Sequence, residues 1–324
     1  MAQTNQINLN EIKKIYKSNY SKVLHEFISV QSDFLSDVYK RYDKDLDAAN
    51  IVLYFAKNLH KSTLRERDKD LDFNISFENF WDNHQKTTQD KRKIIEIAQS
   101  TGLPKETARR KVNNLLKNKV LQKEKNFIYW SPPNEQRKTY NKVVERQINQ
   151  ISKLVQMISV LLNLKISKDK INTEVKKHFS FFWYHYLNTQ LKYLKMWQKE
   201  LNDLELILIA MQCVIQTTES LKDKNASSYD YFISGNIQSK KIQRDPSISA
   251  TSVSEITGVP RATCIRKLDK LHKMKVVKKD NNSKRYHLDL KNLGSNAINT
   301  RRITEDTIDM FSEFYLIVLK ALSR

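Results

Sequence analysis

One stretch of this chain occurs twice, 156 residues apart and without a gap, and any fold must house both copies. Thr101-Gly102-Leu103-Pro104-Lys105-Glu106-Thr107-Ala108-Arg109-Arg110-Lys111-Val112-Asn113-Asn114-Leu115 returns as Thr257-Gly258-Val259-Pro260-Arg261-Ala262-Thr263-Cys264-Ile265-Arg266-Lys267-Leu268-Asp269-Lys270-Leu271. A long-period repeat fixes architecture before any local pattern does, because each copy needs the same neighbours to bury its apolar side.

The 324 residues are enough for two domains of ordinary size, and 40% apolar content lets each bury a core. Only four Gly and five Pro leave little material for tight turns, so the class is mainly α. Net charge is +21, and its placement is uneven. From Lys91 to Lys125 eleven Lys or Arg face three acids, and from Arg261 to Arg285 ten face two, so about three quarters of the excess lies in the two copies. Lysine used only for solvation would be spread more evenly; the clustering points to a polyanionic partner. Cys213 and Cys264 are far apart and form no disulfide framework, which fits a reducing compartment. Met1 to Asn10 is polar and unlike a targeting leader, and the apolar run Leu204 to Ile215 is too short to span a bilayer. A cytoplasmic, nucleoid-associated protein is expected, with no membrane partner.

Apolar spacing predicts a long amphipathic helix from about Asn10 to Tyr42, then a buried helix from Asp45 to about His60. Thr63 to Asp90 reads as a connection with an aromatic knot at Phe73, Phe77, Phe80 and Trp81. A helix over 88–99 stops at Thr101-Gly102, where Gly supplies positive φ, and Pro104 opens a helix running to about Asn118. Val120 to Trp130 reads as a hairpin stopped by Pro132-Pro133, and a long helix follows from about Glu135 to Leu164. The second half repeats this order: long-helix pattern, buried helix, polar connection with Gly235 and Pro246, motif, hairpin over 276–288, and a terminal helix from about Ser295 to Leu322. The expected domains are 1–164, with its motif at 88–131, and 165–324, with its motif at 246–290.

Helix, Gly turn, helix opened by Pro and basic hairpin is the order of a winged helix-turn-helix. The fragment T-G-[LV]-P-[KR]-x-T-x-x-R resembles the helix-turn-helix of IclR-type regulators, over about 45 residues per copy. No α/β effector domain follows it. The long helices around each motif instead resemble the MarR type, where such helices form the dimer interface. The resemblance implies tandem duplicated winged units making a pseudo-dimer in one chain, with double-stranded DNA as partner.

The same chemistry follows from helix geometry. At 100° per residue, Ala108, Val112, Leu115 and Lys119 share one side of their helix, which must face the core. Glu106, Arg110, Asn113 and Lys117 face outward, flanked by Arg109 and Asn114; the second copy presents Ala262, Arg266, Asp269 and Lys273, flanked by Ile265 and Lys270. Arg110 and Arg266 are the foremost groove contacts, since a guanidinium bonds guanine O6 and N7 or grips phosphate. Lys105, Thr107, Arg261 and Thr263 lie in the first turns, where backbone phosphate meets free N–H groups. Lys123 and Lys125 in one hairpin, and Lys278, Lys279, Lys284 and Arg285 in the longer and more basic other, suit phosphate or minor groove. The outer faces have diverged, which implies two unlike half-sites roughly one helical turn apart rather than a palindrome.

Weaker signals are assigned as follows. The aromatic run Phe179 to Tyr186 is read as packed core where the halves meet, in preference to an effector pocket. Cys264 matches Ala108, a core-side position, which disfavours redox sensing. His178 and His185 lack further ligands at metal spacing, and no phosphate loop or nucleophile constellation is present, so neither cofactor nor enzymatic activity is expected. The expected function is transcription regulation through sequence-specific DNA binding. Two rivals are a plasmid or phage replication initiator with two winged helices, and a non-specific chromosome-organising or scaffold protein.

Overall fold

The computed structural model describes residues 7–221, 228–234, 246–292 and 298–323. The chain is mainly helical, and its elements sort into two units, each assembled from separate stretches of sequence. Among the described residues, unit 1 comprises 45–199 and 317–323, and unit 2 comprises 7–44 and those within 200–316. Packing therefore does not follow the consecutive halves 1–164 and 165–324.

Element order starts with α1 (Leu9–Ser18) and α2 (Tyr20–Arg41), which pack in unit 2. Asn8 caps α1 through a capping box with Glu11: Glu11 N–H donates to Asn8 Oδ1 at 3.0 Å, and Asn8 N–H donates to the Glu11 carboxylate at 3.2 Å. The single helix expected over 10–42 is broken at Asn19 (φ −113°, ψ 30°), whose side-chain amide donates to Ile15 O at 3.0 Å. Asn competes locally with helix hydrogen bonding, and apolar spacing cannot register that competition.

In unit 1, α3 (Leu46–Lys69) outlasts the expected end near His60, so 63–69 is helix rather than connection. It is followed by α4 (Phe80–Lys86), α5 (Ile94–Thr101), α6 (Lys105–Lys117), β1 (Leu121–Glu124), β2 (Phe127–Trp130), α7 (Asn134–Leu161), α8 (Lys168–Lys177) and α9 (Phe179–Leu201). The α8–α9 break at His178 (φ −109°, ψ 40°) repeats that at Asn19. Unit 2 continues with α10 (Leu204–Glu219), α11 (Tyr229–Ile233), α12 (Ala250–Thr257), α13 (Arg261–Lys273), β3 (Val277–Lys279), β4 (Tyr286–Leu288) and α14 (Thr300–Leu322) as far as Leu316. Gly235 and the expected start of the last helix at Ser295 lie outside the described residues. No described helix is long and apolar enough to cross a membrane.

The helix expected at 88–99 begins only at Ile94. Arg92 is instead paired with Ile128 by two backbone hydrogen bonds of 2.9 and 3.0 Å, and Ile248 pairs with Tyr286 in the same way at 2.7 and 2.9 Å. Each hairpin thus gains a one-residue third strand. Asp90 holds Arg92 at 2.7 Å and Arg65 at 3.1 Å, and the Glu96 carboxylate accepts from Lys93 N–H at 2.8 Å to start α5. A run this polar has no apolar face to bury as a helix turn.

Gly102 and Gly258 end α5 and α12 in the left-handed region, both at φ +77°. A Cβ there would be strained by the backbone, and would meet Lys195 Cγ at 3.2 Å or Lys40 Cε at 3.1 Å. Gly102→Ala and Gly258→Ala are each expected to lower stability by about 1–2 kcal/mol. The check is the urea midpoint at unchanged slope.

The core of unit 1 is aromatic. His60, fully buried, stacks on Phe80 at 4.6 Å and meets the edge of Phe179 at 5.0 Å. Trp183 Nε1 donates to the Tyr140 hydroxyl at 3.1 Å, and Trp130 is fully buried against Tyr140 and Trp81. The buried members of the α9 run, Phe179, Phe182, Trp183 and Tyr186, are therefore core within this unit. In unit 2, α2 lies along α10: Gln212 Nε2 donates to Ser32 Oγ at 2.8 Å, and His25 Nδ1 sits 3.0 Å from Thr218 Oγ1. Phe27 packs on Phe311 at 4.4 Å, and Tyr20 sits edge-on to Tyr229 and Phe232.

Candidate nucleic-acid interface

Each basic motif is anchored by its apolar side. On α6, Ala108, Val112 and Leu115 are buried, and on α13 Cys264, Leu268 and Leu271 are buried at the matching positions. Wheel geometry then forces the remaining residues outward. Lys111 and Lys267, which also match, are exceptions that the charge pattern could not reveal. Lys111 Nζ lies 2.5 Å from Asp45 Oδ2, and Lys267 Nζ lies 2.6 Å from Asp203 Oδ1 and 2.9 Å from Glu205 Oε2. Asp45 and Asp203 also cap α3 and α10 by accepting from Ala48 N–H and Leu206 N–H. One carboxylate thus starts the buried helix and tethers the basic one, in both units.

Outward on α6, Lys105, Arg110 and Asn113 are exposed and Thr107 is half-buried; none of the four side chains has a polar partner among the described residues. Arg109 is different. Its guanidinium forks onto Glu106 at 2.9 and 2.6 Å, and these bonds hold the Glu106 carboxyl below its usual range. On α13, Arg266 and Lys270 are exposed and unpaired among the described residues, while half-buried Thr263 is likewise unbonded through its side chain. Arg261 Nε donates to Thr251 Oγ1 at 3.0 Å, which ties the start of α13 back to α12.

The hairpins divide unequally. Lys123 and Lys125 are exposed without partners among the described residues. In the second hairpin, Lys279 Nζ lies 2.8 Å from Asp269 Oδ1 and 5.3 Å from the centre of the Tyr286 ring, and Tyr286 donates to the same oxygen at 2.8 Å. The Lys279 hydrogen bond leads in holding the Asp269 carboxyl below its usual range. Lys278 lies 3.5 Å from buried Asp289, and Arg285 donates to Ser247 Oγ at 2.9 Å and Ser247 O at 2.7 Å. Only Lys284, of the four basic residues proposed there, keeps an uncommitted ammonium. The hairpin richer in charge by sequence is the poorer in free charge.

Two further cations come from outside the motifs. Lys195 of α9 lies over Gly102, and Lys40 of α2 lies over Gly258. Both are exposed and unpaired among the described residues. The two lysines stand 155 residues apart in sequence, and each lies over the motif glycine of its own unit. Only the paired glycines hinted at a close neighbour. If DNA lies along this face, Lys40→Gln and Lys195→Gln each reduce the slope of log affinity against log salt by about 0.9. Unchanged slopes would place both lysines outside the interface.

No protein-family model, curated protein or solved structure matches the chain. Function is therefore read from the geometry of its own residues. Among the described residues no group of three or more His, Cys, Asp or Glu is placed to hold a metal ion. Burial pushes the Cys264 thiol up to about 11, and it donates to Val259 O at 3.4 Å. It is held as a protonated packing group.

Proposed function

We propose that this chain is a sequence-specific double-stranded DNA-binding transcription regulator that works through two unlike winged helix-turn-helix heads. The carrying observation is that Arg110 and Arg266, at the same position of a repeated helix, are both exposed and make neither hydrogen bond nor ion pair among the described residues. Neighbouring cations such as Lys111, Lys267, Lys279 and Arg285 are tied to the protein. Keeping one arginine free in each copy fits a group reserved for a base edge or a phosphate. The repeated order of one-residue strand, helix, left-handed Gly, helix and hairpin supports a winged unit, and α6 and α13 are its recognition helices.

In this reading the first head contacts phosphate through Lys123 and Lys125, and the second chiefly through Lys270 and Lys273 on its recognition helix. The two half-sites then differ in sequence. Selection from a random duplex pool, followed by salt titration of the enriched site, tests the proposal. Expected is a non-palindromic site whose log affinity falls linearly with log salt. Equal affinity for all sequences would favour a scaffold role, and a strict palindrome would remove the unlike heads. Genomic footprinting then separates a regulator, bound at scattered promoters, from an initiator bound at one origin.

A further inference from the structure

Resting on the DNA-binding reading above, we propose that α13 recognises the 5-methyl group of thymine through Ala262 and Ile265, beside the base pair or phosphate held by Arg266. The outer face of α13 borders an open groove of about 540 Å³, lined by Ala262, Ile265, Arg266, Asp269, Lys270 and Lys273. These are the residues that wheel geometry turns away from the core, so the groove is the face offered to a partner.

Its chemistry is mixed in a particular way. Arg266, Lys270 and Lys273 supply cations free of partners among the described residues. Asp269, which alone would repel a duplex, is already answered by Lys279 at 2.8 Å and by the Tyr286 hydroxyl. That leaves Ala262 and Ile265 as an apolar patch within a basic surface. Phosphates and sugars offer such a patch little. In the major groove the apolar feature that varies between base pairs is the thymine C5-methyl, and small apolar side chains on a recognition helix are its usual contacts.

The first head supplies the contrast. At the positions of Ala262 and Ile265, α6 carries Glu106 and Arg109, which are bonded to each other at 2.6 and 2.9 Å. Their pairing covers the same part of the helix with polar atoms. Methyl recognition therefore belongs to one head only, and the difference lies at two residue positions. Ala262, Ile265 and Arg266 lie within little more than one helical turn, so the methyl and the arginine contact sit on the same or adjacent base pairs.

The test uses the full chain and its selected duplex, with each thymine replaced in turn by deoxyuridine, which removes only the methyl. Expected is a loss of about fourfold in affinity at one or two positions confined to one half-site, the factor that burying one methyl supplies. The Ala262→Glu, Ile265→Arg variant, with the side chains of the first head, should show no loss at those positions and keep its response to substitutions in the other half-site. Should that variant fail to fold by circular dichroism, Ile265→Asn gives the same reading. A defined site at which uridine and thymine bind equally overturns the inference and leaves the DNA reading standing. A methyl effect that persists in the variants moves recognition to other residues and also overturns it. A pool from which no sequence is enriched overturns the DNA reading itself.

Discussion

The Arg110→Ala, Arg266→Ala double variant is expected to bind its selected duplex no better than random DNA. Each single variant should lose about 1–3 kcal/mol, and each at a different half-site, because a guanidinium that bonds two acceptors of one base has no substitute nearby. The substitution removes exposed side chains that make no hydrogen bond or ion pair in the folded chain, so stability should change little. Arg109 provides the internal comparison: it is exposed too, yet forked onto Glu106, and Arg109→Ala should disturb selectivity less. Fluorescence anisotropy with selected and scrambled duplexes at one salt concentration measures the ratio. An unchanged ratio refutes the assignment, and equal loss on both duplexes demotes the arginines to phosphate contacts.

A second large effect should appear in acid. Burial lowers the His60 pKa from 6.5 to about 3, and the ring sits between Phe80 and Phe179 with Nδ1 unbonded. The folded state therefore keeps this histidine neutral where the unfolded chain protonates it. Its contribution is complete above pH 6.5 and falls as pH drops toward 3, by about 1.4 kcal/mol per unit. Between pH 6.5 and pH 4 this amounts to about 3 kcal/mol from one residue. His84, also buried, is shifted in the same direction by its burial. Denaturant melts of wild type and His60→Phe across this range give the difference directly. His60→Phe should flatten the acid limb; identical limbs would show that His60 is not the group responsible.

The helical class was legible because so few glycines and prolines interrupt 3.6-residue spacing, and the outward direction of Arg110 and Arg266 followed from the same period. What could not be read depended on partners distant in sequence. Lys267 looks like any other lysine of the basic run until Asp203, 64 residues earlier, is seen at 2.6 Å. Lys279 and Arg285 read as partner-facing in the sequence because their acceptors, Asp269 and Ser247, become neighbours only when the hairpin folds back. The breaks at Asn19 and His178 fall inside apolar patterns that continue unaltered across them. The strand residue Arg92 carries no β-signal of its own and is drawn into the sheet by Ile128.

The grouping of α1 and α2 with α10 to α14 has a consequence in time. During synthesis, the residues of α2 that pack on α10 and α14 leave the ribosome well before those helices exist. At about 5–20 residues per second, Phe27 waits roughly a quarter of a minute to a minute for Phe311. Most of unit 1 can close in that interval, since nearly all of it is made by Lys199. The apolar side of α2 is meanwhile left for a chaperone or a transient cover. Unit 2 is thus the late-maturing one, and the long sequence separation between its packed helices makes it the slower to form.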